Sequence, residues 1–410
     1  MSFIDDKIAD RLGGANFGKE TEIYKFELIK RAKAEAKSAH PELPLIDMGV
    51  GEPDWSADPA VVGRLAAEAG KRGNRWYADN GLPEFQNAAA AWLERTYGLT
   101  GLSPAENIMH GIGSKPILAL LPLCFINPGD VLLTTVPGYP VTATWTRYLG
   151  GSVHALPLLE SNGFLPDLDS IPADVLKKAK LLYLNYPNNP TGAVATKAFF
   201  EKVVSFARTN DILVIHDAAY GALTYGGYKP LSFLSVPGAM DVGVEIHSLS
   251  KAFNMTGWRM GFVCGNAKAV KAYATVKDNT DSGQFRAIQK AAVTALENPG
   301  ITAATIAKYS RRFDLLVEAL RSVGFDAKKP QGSFYCYVRA PAGLSDGRVF
   351  KTAAGFSEHL IREALISTVP WDEAGPYVRF SVTFEADGEA EEKRIVGEMK
   401  RRLAGMGLRF

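Results

Sequence analysis

The chain has 410 residues, of which 47% are hydrophobic and 22% charged, and its formal net charge is +2. This length suits two domains, and the small net charge argues against bulk attraction to nucleic acid or to an anionic membrane. Three widely separated cysteines without a C-x-x-C pair, a mixed charged amino terminus and no long apolar run favour a cytoplasmic protein. The sequence predicts no disulfide framework, no membrane span and no metal site.

The first two thirds of the chain alternate between helical and strand patterns. A helix is predicted over 22–39, ended by His40-Pro41, and a short strand over 45–50 runs into a loop at 51–54. Further helices are predicted at 59–72, 82–97, 115–125 and 197–209, and strands at 131–136, 181–185, 212–217 and 245–248. Continuous apolar strands separated by helices are typical of a parallel sheet covered on both faces, so the predicted fold class is α/β.

The last third has a different pattern. A long helix is predicted over about 283–323, followed by a β-rich stretch at 332–339, a helix at 356–364, a strand at 377–382 and a charged helix from Glu389. This order indicates a separate α+β domain, against which the N-terminal helix packs. The predicted division is therefore 1–48 with the small domain, 49–285 as the large domain and 286–410 as the rest of the small domain.

Ligands of parallel sheets bind beyond the carboxyl ends of the strands, and there the sequence places Lys251. It lies in SLSKAFNMTGWRMG, among Phe253, Met255 and Trp258. Partial desolvation lowers the pKa of a lysine and leaves a nucleophilic amine that can form a Schiff base. The alternative is a surface lysine whose stem covers apolar residues while its amine stays in water.

A phosphate site is predicted beside that lysine. A hydroxyl at Ser248 and the guanidinium of Arg259 can together hold a phosphate dianion. Ser114 and Lys115 open a predicted helix whose free N–H groups also attract phosphate. A plain N-cap serine is the alternative for Ser114.

Asp217 ends the apolar strand ILVIHD and is a candidate partner for a protonated pyridine nitrogen. The alternative is a helix cap or turn residue. Tyr220 and Asn189, at neighbouring strand ends, can donate to a phenolic oxygen of such a cofactor, and Tyr139 can stack on its ring. His216 precedes Asp217 on the strand, so it should face the opposite side of the sheet and serve structure.

Arg379 lies among apolar residues in YVRFSV near the end of the chain. A buried guanidinium needs a partner, because an unpaired buried charge is costly. It binds either an acid in a structural ion pair or the α-carboxylate of a substrate in bidentate form.

These motifs resemble those of the fold-type I pyridoxal phosphate enzymes, in the class I/II aminotransferase group. NNPTG, DAAY and SLSKAFNMTGWRMG carry the resemblance, with GVGEPDW and YADNGLPEF upstream, and it extends from about residue 20 to the end. The resemblance implies a large domain with a mostly parallel seven-stranded sheet, a smaller α+β domain and pyridoxal 5′-phosphate as cofactor. It also implies a homodimer with shared active sites, Lys251 as the Schiff-base residue, Arg379 as the carboxylate clamp and Tyr77 reaching the neighbour's phosphate.

Within this group the stretches YADNG, GSK, NMTGWRMGF and KDNTDSGQF resemble the branch that acts on LL-diaminopimelate. That resemblance implies that Asn279 contacts cofactor or substrate from the partner subunit, and that Tyr24, Gly51 and Asn189 face the substrate. Lys115 is a candidate for the distal carboxylate and Asp79 for the distal ammonium. The better-known members carry glutamate where this chain has Asp79, so the charge is retained with a shorter reach.

The reaction implied is a ping-pong transamination in which LL-2,6-diaminopimelate and 2-oxoglutarate give tetrahydrodipicolinate and glutamate, the reverse of the lysine-biosynthetic direction. Two alternatives use the same scaffold: an aminotransferase for aspartate, alanine or aromatic amino acids, and a pyridoxal phosphate-dependent lyase. A third is a non-catalytic regulator with a DNA-binding domain ahead of the fold, which the short and weakly basic stretch before Gly49 disfavours.

Overall fold

A computed structural model describes residues 3–19 and 25–410 of the chain. The α-helices of this part are α1 (Lys25–Ala39), α2 (Pro59–Ala69), α3 (Pro83–Tyr97), α4 (Pro104–Asn107), α5 (Ser114–Phe125), α6 (Val141–Tyr148), α7 (Ala173–Leu176), α8 (Lys197–Asn210), α9 (Ala239–Val242), α10 (Leu249–Ala252), α11 (Ala267–Lys277), α12 (Arg286–Glu297), α13 (Pro299–Ser322), α14 (Ala353–Ala364) and α15 (Glu389–Ala404). The strands are β1 (Ile46–Asp47), β2 (Ile108–Gly111), β3 (Val131–Val136), β4 (Ser152–Pro157), β5 (Ala179–Asn185), β6 (Leu213–Asp217), β7 (Gly243–Ser248), β8 (Gly261–Gly265), β9 (Tyr335–Arg339), β10 (Gly343–Leu344), β11 (Ile366–Ser367), β12 (Val369–Trp371), β13 (Tyr377–Ser381) and β14 (Leu408–Arg409). None of these helices is both long and apolar enough to cross a membrane.

A seven-stranded sheet forms the centre of the molecule, in the order β2-β8-β7-β6-β5-β3-β4. Strand β8 runs antiparallel to both of its neighbours, whereas the other adjacent pairs are parallel. The predicted α/β class with a mostly parallel seven-stranded sheet is therefore confirmed.

The alternation of side chains along the strands divides the core between the two faces of this sheet. Leu181, Tyr183 and Ile215 pack on one face with α5 and α11, and Leu182 and Val214 pack on the other face with α8. The last residues of β5, β6 and β7 lie on the α5 side by the same alternation, and they are Asn185, Asp217 and Ser248. Three polar side chains therefore lie together at the carboxyl edge of the sheet, on the face that packs against α5.

The opposite face carries a buried acid between two histidines. Glu245 accepts hydrogen bonds from Ser232 and from the backbone of Phe233, and each of its oxygens also contacts an imidazole. The contacts are 2.8 Å to His216 and 2.7 Å to His247. His216 therefore lies away from the face on which Asp217 lies, as the strand alternation predicted, and it serves a structural network.

The remaining strands and helices form a second layered unit at the carboxyl end. Strands β12, β13 and β9 make an antiparallel sheet, and β1 pairs in parallel with β11. Helix α1 packs on α14 through Ala32, Ala36, Ile361 and Leu365. The N-terminal helix thus contacts this unit, while the domain boundaries at 48 and 285 stay predictions.

The single long helix predicted over 283–323 is wrong. Two helices, α12 and α13, replace it, and the break falls at Asn298-Pro299. Proline has no N–H to donate and is best accommodated in the first turn of a helix. The side chain of Asn298 accepts from the backbone of Gly300 at 3.1 Å and caps α13, so the sequence restarts the helix instead of continuing it.

Candidate active site

A cavity of about 430 Å³ opens at the carboxyl edge of β5, β6 and β7. Eleven of the residues singled out from the sequence line it: Gly51, Ser114, Lys115, Tyr139, Asn189, Asp217, Tyr220, Ser248, Lys251, Arg259 and Arg379. Its size lies within the range of small-molecule sites. Residues separated by more than 300 positions in the chain thus share one site.

Lys251 enters the cavity from α10, directly after β7. Its Nζ donates a hydrogen bond to the carbonyl oxygen of Gly51 at 2.8 Å. Burial lowers the pKa of Lys251 from its ordinary value to about 8, although the nearby Glu52 opposes this shift. The amine is therefore much more nucleophilic at neutral pH than an exposed lysine amine.

The loop that carries Gly51 is fastened to α13 by buried charges. Asp54 contacts the Nζ of Lys308 at 2.7 Å and the guanidinium of Arg312 at 2.9 Å. Arg312 also binds Glu392 of α15 at 2.8 Å. These ion pairs hold the loop against the C-terminal unit, so the carbonyl that faces Lys251 has a fixed position.

Asp217 is buried and lines the cavity. Its carboxylate accepts hydrogen bonds from the hydroxyl of Tyr183 and from the backbone N–H of Ala219, both at 3.1 Å. Asn185 donates to its carbonyl oxygen at 2.8 Å. Burial raises the pKa of Asp217, and the two donors oppose that rise because they stabilise the ionised form. A buried carboxyl with these donors suits a cationic ring nitrogen, because the positive charge would favour its ionised form.

Arg259 and the first turn of α5 form an anion-binding corner of the cavity. Gly113 has a φ of +80° and precedes Ser114, and a side chain at position 113 would collide with the Arg259 guanidinium. Glycine tolerates that backbone conformation and leaves the space that the guanidinium occupies. Because the free N–H groups of a helix start attract anions, Ser114, Ser248 and Arg259 together suit a phosphate group.

Arg379 lies on β13, buried, at the other side of the cavity. It donates to the side chain of Asn189 at 2.8 Å and to the carbonyl of Gly49 at 3.1 Å. Its guanidinium stacks 3.9 Å above the ring of Tyr335, while its Nε has no hydrogen-bond partner among the described residues. These partners are neutral, so the positive charge of Arg379 remains available to a carboxylate.

Eight of the residues that line the cavity were not candidates from the sequence, among them Glu52, Asn185 and Tyr335. Tyr335 contacts the hydroxyl of Tyr220 at 3.2 Å and so connects the C-terminal unit with the strand-end residues. Asn185 is the last residue of the apolar strand β5, and that position was a usable signal, whereas Tyr335 is the first residue of β9. For Tyr335 no local pattern distinguishes a site residue from a core tyrosine.

Three other candidates lie outside the cavity within one chain, on an exposed ridge formed by residues 76–81 and 278–286. Tyr77 is 76% exposed, and Asp79 and Asn279 are also exposed. The backbone of Asp79 donates to Ser282, and Arg286 donates to the carbonyl of Tyr77. The predicted substrate contact Tyr24 lies outside the described residues.

Comparison with known proteins agrees with this geometry. The aminotransferase class I and II family matches residues 44–396. An LL-diaminopimelate aminotransferase of Methanocaldococcus jannaschii is 57% identical over 100% of this chain and 99% of its own length. One of Methanococcus maripaludis is 58% identical, with 98% of each chain covered. The resemblance to the diaminopimelate branch is therefore confirmed.

Solved structures show the same architecture. A substrate-bound BacF structure from Bacillus subtilis has a TM-score of 0.87 at 33% identity and covers 98% of both chains. An aspartate aminotransferase variant from Thermus thermophilus has a TM-score of 0.83 at 27% identity, covering 96% of this chain and 99% of its own. The match of the motifs, the fold and the relatives over almost the whole length shows that this chain belongs to the aminotransferase class I and II family.

Proposed function

We propose that this chain is a pyridoxal 5′-phosphate-dependent aminotransferase that exchanges an amino group between LL-2,6-diaminopimelate and 2-oxoglutarate. The observation that carries the proposal is one cavity with a buried amine at Lys251, a buried acid at Asp217 and guanidinium groups at Arg259 and Arg379. The names of the relatives from Methanocaldococcus and Methanococcus support the choice of substrate.

The donors and acceptors of the cavity fit pyridoxal phosphate group by group. Lys251 offers the amine that an aldehyde needs, and Asp217 offers an anion for a pyridinium nitrogen. Ser114, Ser248 and Arg259 match the phosphate, since they combine hydroxyl groups, a helix start and a guanidinium. Tyr220 and Asn189 supply donors for the phenolic oxygen, and Tyr139 supplies an aromatic face.

Pyridoxal phosphate supplies an aldehyde that condenses with amines and a ring that accepts the electron pair left when an α-proton departs. Lys251 acts on that proton: its Nζ, when free and unprotonated, accepts it from the α-carbon of the amino acid and later returns it. Asp217 would supply the negative charge that keeps the ring nitrogen protonated. The carbonyl of Gly51 keeps the Nζ at the cavity wall between these events.

The substrate is held by its carboxylates. Arg379 is placed to bind the α-carboxylate, and its stacking on Tyr335 fixes the plane of the guanidinium. Lys115 is exposed at the cavity mouth and is the candidate for the distal carboxylate that diaminopimelate and glutamate share. Only diaminopimelate carries a distal ammonium, for which Asp79 is the candidate acid.

We further propose that two copies of the chain assemble so that the ridge of each one completes the cavity of the other. Trp76 is 57% exposed and Tyr77 is 76% exposed, and neighbouring exposed aromatic side chains are typical of interfaces. In this arrangement Tyr77 reaches the phosphate of the second copy, and Asp79 and Asn279 face its substrate.

The direct test is a half-reaction assay on the purified holoenzyme. LL-diaminopimelate, meso-diaminopimelate, glutamate and aspartate are added separately while the absorbance of the bound cofactor is followed. We expect LL-diaminopimelate and glutamate to convert the cofactor to its amino form. Equal rates with aspartate would indicate the broader-specificity enzyme, and release of ammonia without an acceptor would indicate a lyase.

A further inference from the structure

The acid that faces the ring nitrogen is itself held by a tyrosine on the neighbouring strand. Tyr183 lies on β5 and pairs in register with Ile215 of β6, two positions before Asp217. Residues two apart on a strand share a face, so Tyr183 and Asp217 both lie on the α5 side of the sheet. The Tyr183 hydroxyl donates to Oδ2 of Asp217 at 3.1 Å.

Tyr183 is fully buried, and its surroundings are apolar. It belongs to the core cluster that contains Leu181, Ile215 and Ile246. A buried hydroxyl without a partner is costly, so a phenylalanine is the residue that packing alone favours here. The hydroxyl of Tyr183 binds Asp217 instead. This contact gives the tyrosine a role that packing of the core does not explain.

The carboxylate of Asp217 has one donor for each oxygen. Ala219 donates to Oδ1 from the backbone, and Tyr183 donates to Oδ2. The backbone donor is fixed by the turn after β6, so a substitution leaves it in place. Tyr183 is therefore the side chain that orients Oδ2, and removing its hydroxyl frees that oxygen to rotate.

Other titratable groups also influence Asp217, and they must be separated from Tyr183. His216 and His247 act on it electrostatically across the sheet, where both imidazoles bind Glu245. Lys251 and Tyr220 face it within the cavity, and Tyr139 lies within electrostatic reach of Tyr183. None of these groups is the donor to Oδ2, so a tyrosine-to-phenylalanine change isolates one contact.

We propose that Tyr183 is a positioning residue for the amino-transfer reaction, which holds the Asp217 carboxylate ionised and directed at the pyridine nitrogen of the cofactor. This inference rests on the proposed function, because it requires a pyridine-type cofactor in the cavity. Tyr183 is not among the residues that line the cavity, so it acts through Asp217.

The test compares Tyr183→Phe with a matched control, Tyr225→Phe. Tyr225 is also a buried tyrosine, and its hydroxyl has no hydrogen-bond partner among the described residues. We expect Tyr183→Phe to weaken pyridoxal phosphate binding roughly ten-fold in equilibrium dialysis, as the loss of a hydrogen bond to a charged group does. The acidic limb of the pH profile of kcat should move upward by about one unit. The control should change neither quantity.

A double-mutant cycle with Asp217→Asn decides whether Tyr183 acts through the acid. In the Asp217→Asn background we expect Tyr183→Phe to change the cofactor affinity by less than about two-fold. An equal loss in both backgrounds, or a Tyr183→Phe protein that matches the unmutated one in affinity and pH profile, would overturn the inference. Failure of the proposed function would give a different result, because the unmutated holoenzyme would then transfer no amino group. Thermal melts of all four proteins separate misfolding from a change in affinity.

Discussion

The buried cavity and the exposed ridge differ in how much of their structure one chain provides. In the cavity, Asp217 comes from the end of β6, Lys251 from α10 and Arg379 from the middle of β13, and each already has protein partners. On the ridge, Tyr77 and Asp79 are fixed by their backbones while their side chains extend into solvent.

This difference suggests that the cavity and the ridge have separate roles, in catalysis and in substrate selectivity. The groups that we assign to the reacting atoms are pre-oriented by the core, and pre-orientation of polar groups is a large part of enzymatic rate enhancement. The groups that we assign to substrate choice and to the second subunit lie on a surface that is incomplete in one copy. Chemistry and selectivity should therefore respond to different mutations.

The largest effect is expected from Lys251→Ala. Loss of the amine should lower the rate of amino transfer by more than about a thousand-fold, because we assign to this residue both the bond to the aldehyde and the movement of the proton. The phosphate corner and Asp217 remain, so some cofactor should still bind. Stopped-flow half-reactions and equilibrium dialysis measure the two quantities, and a variant that keeps a tenth of the rate would refute the assignment.

A large effect of pH is expected in the cofactor-free protein. Because burial lowers the pKa of Lys251 to about 8, capture of pyridoxal phosphate should become half-maximal near pH 8. The amine is the reactive form, so the rate rises with pH and levels off above that value. At neutral pH this corresponds to roughly two orders of magnitude more free amine than an ordinary lysine provides. Capture that keeps rising to pH 10 would contradict the burial argument.

A selective effect is expected on the ridge. Asp79→Asn should lower kcat/KM for LL-diaminopimelate roughly ten-fold, since a charge-assisted hydrogen bond to the distal ammonium is lost. Glutamate has no such ammonium, and its half-reaction should change little. Glu106→Gln, at an exposed acid outside residues 76–81 and 278–286, serves as the control. Equal losses with both substrates would remove Asp79 from the specificity assignment.

The smallest effect is expected where the ridge meets the core. Buried Lys277 donates to the carbonyl of Asp79 at 2.9 Å and pairs with Asp281 at 2.5 Å, and Asp79 adopts a positive φ of 39°. Lys277→Met should let this turn relax and raise KM for diaminopimelate roughly three-fold, with kcat nearly unchanged. The exposed Lys271→Met on the same helix is the matched control. A fall in kcat with unchanged KM would place Lys277 in the cavity chemistry instead.

The sequence predicted the cavity better than the rest of the molecule, for physical reasons. Strands β5 and β6 are largely apolar and end in polar residues such as Asp217, so both the strands and their ends are visible in the pattern. Strand β7 instead alternates apolar residues with Glu245 and His247 and ends in Ser248. Tyr335 and Tyr183 were missed because a tyrosine in an apolar strand has the same pattern whether its hydroxyl serves a site or not. Neither contact is local, since Tyr335 meets Tyr220 across 115 positions.

Two other features were hard to predict from the sequence: the break between α12 and α13, and the ridge. Helical sequence resumes directly after Asn298-Pro299, and the cap at Asn298 with Pro299 in the first turn marks the new start. Residues on the ridge have no buried pattern at all, so Tyr77, Asp79 and Asn279 could be chosen only by resemblance. Their roles stay predictions.

The pair of imidazoles on Glu245 has a consequence for how the protein tolerates acid. Burial alone would raise the pKa of Glu245, but the contacts with His216 and His247 outweigh it and hold that pKa well below its ordinary value. A carboxyl whose pKa is depressed by folding stabilises the native state above its ordinary range, and this contribution disappears as the pH falls below it. Protonation of one side chain in the middle of the sheet thus couples the stability of the whole scaffold to acidification, independently of the cavity on the other face.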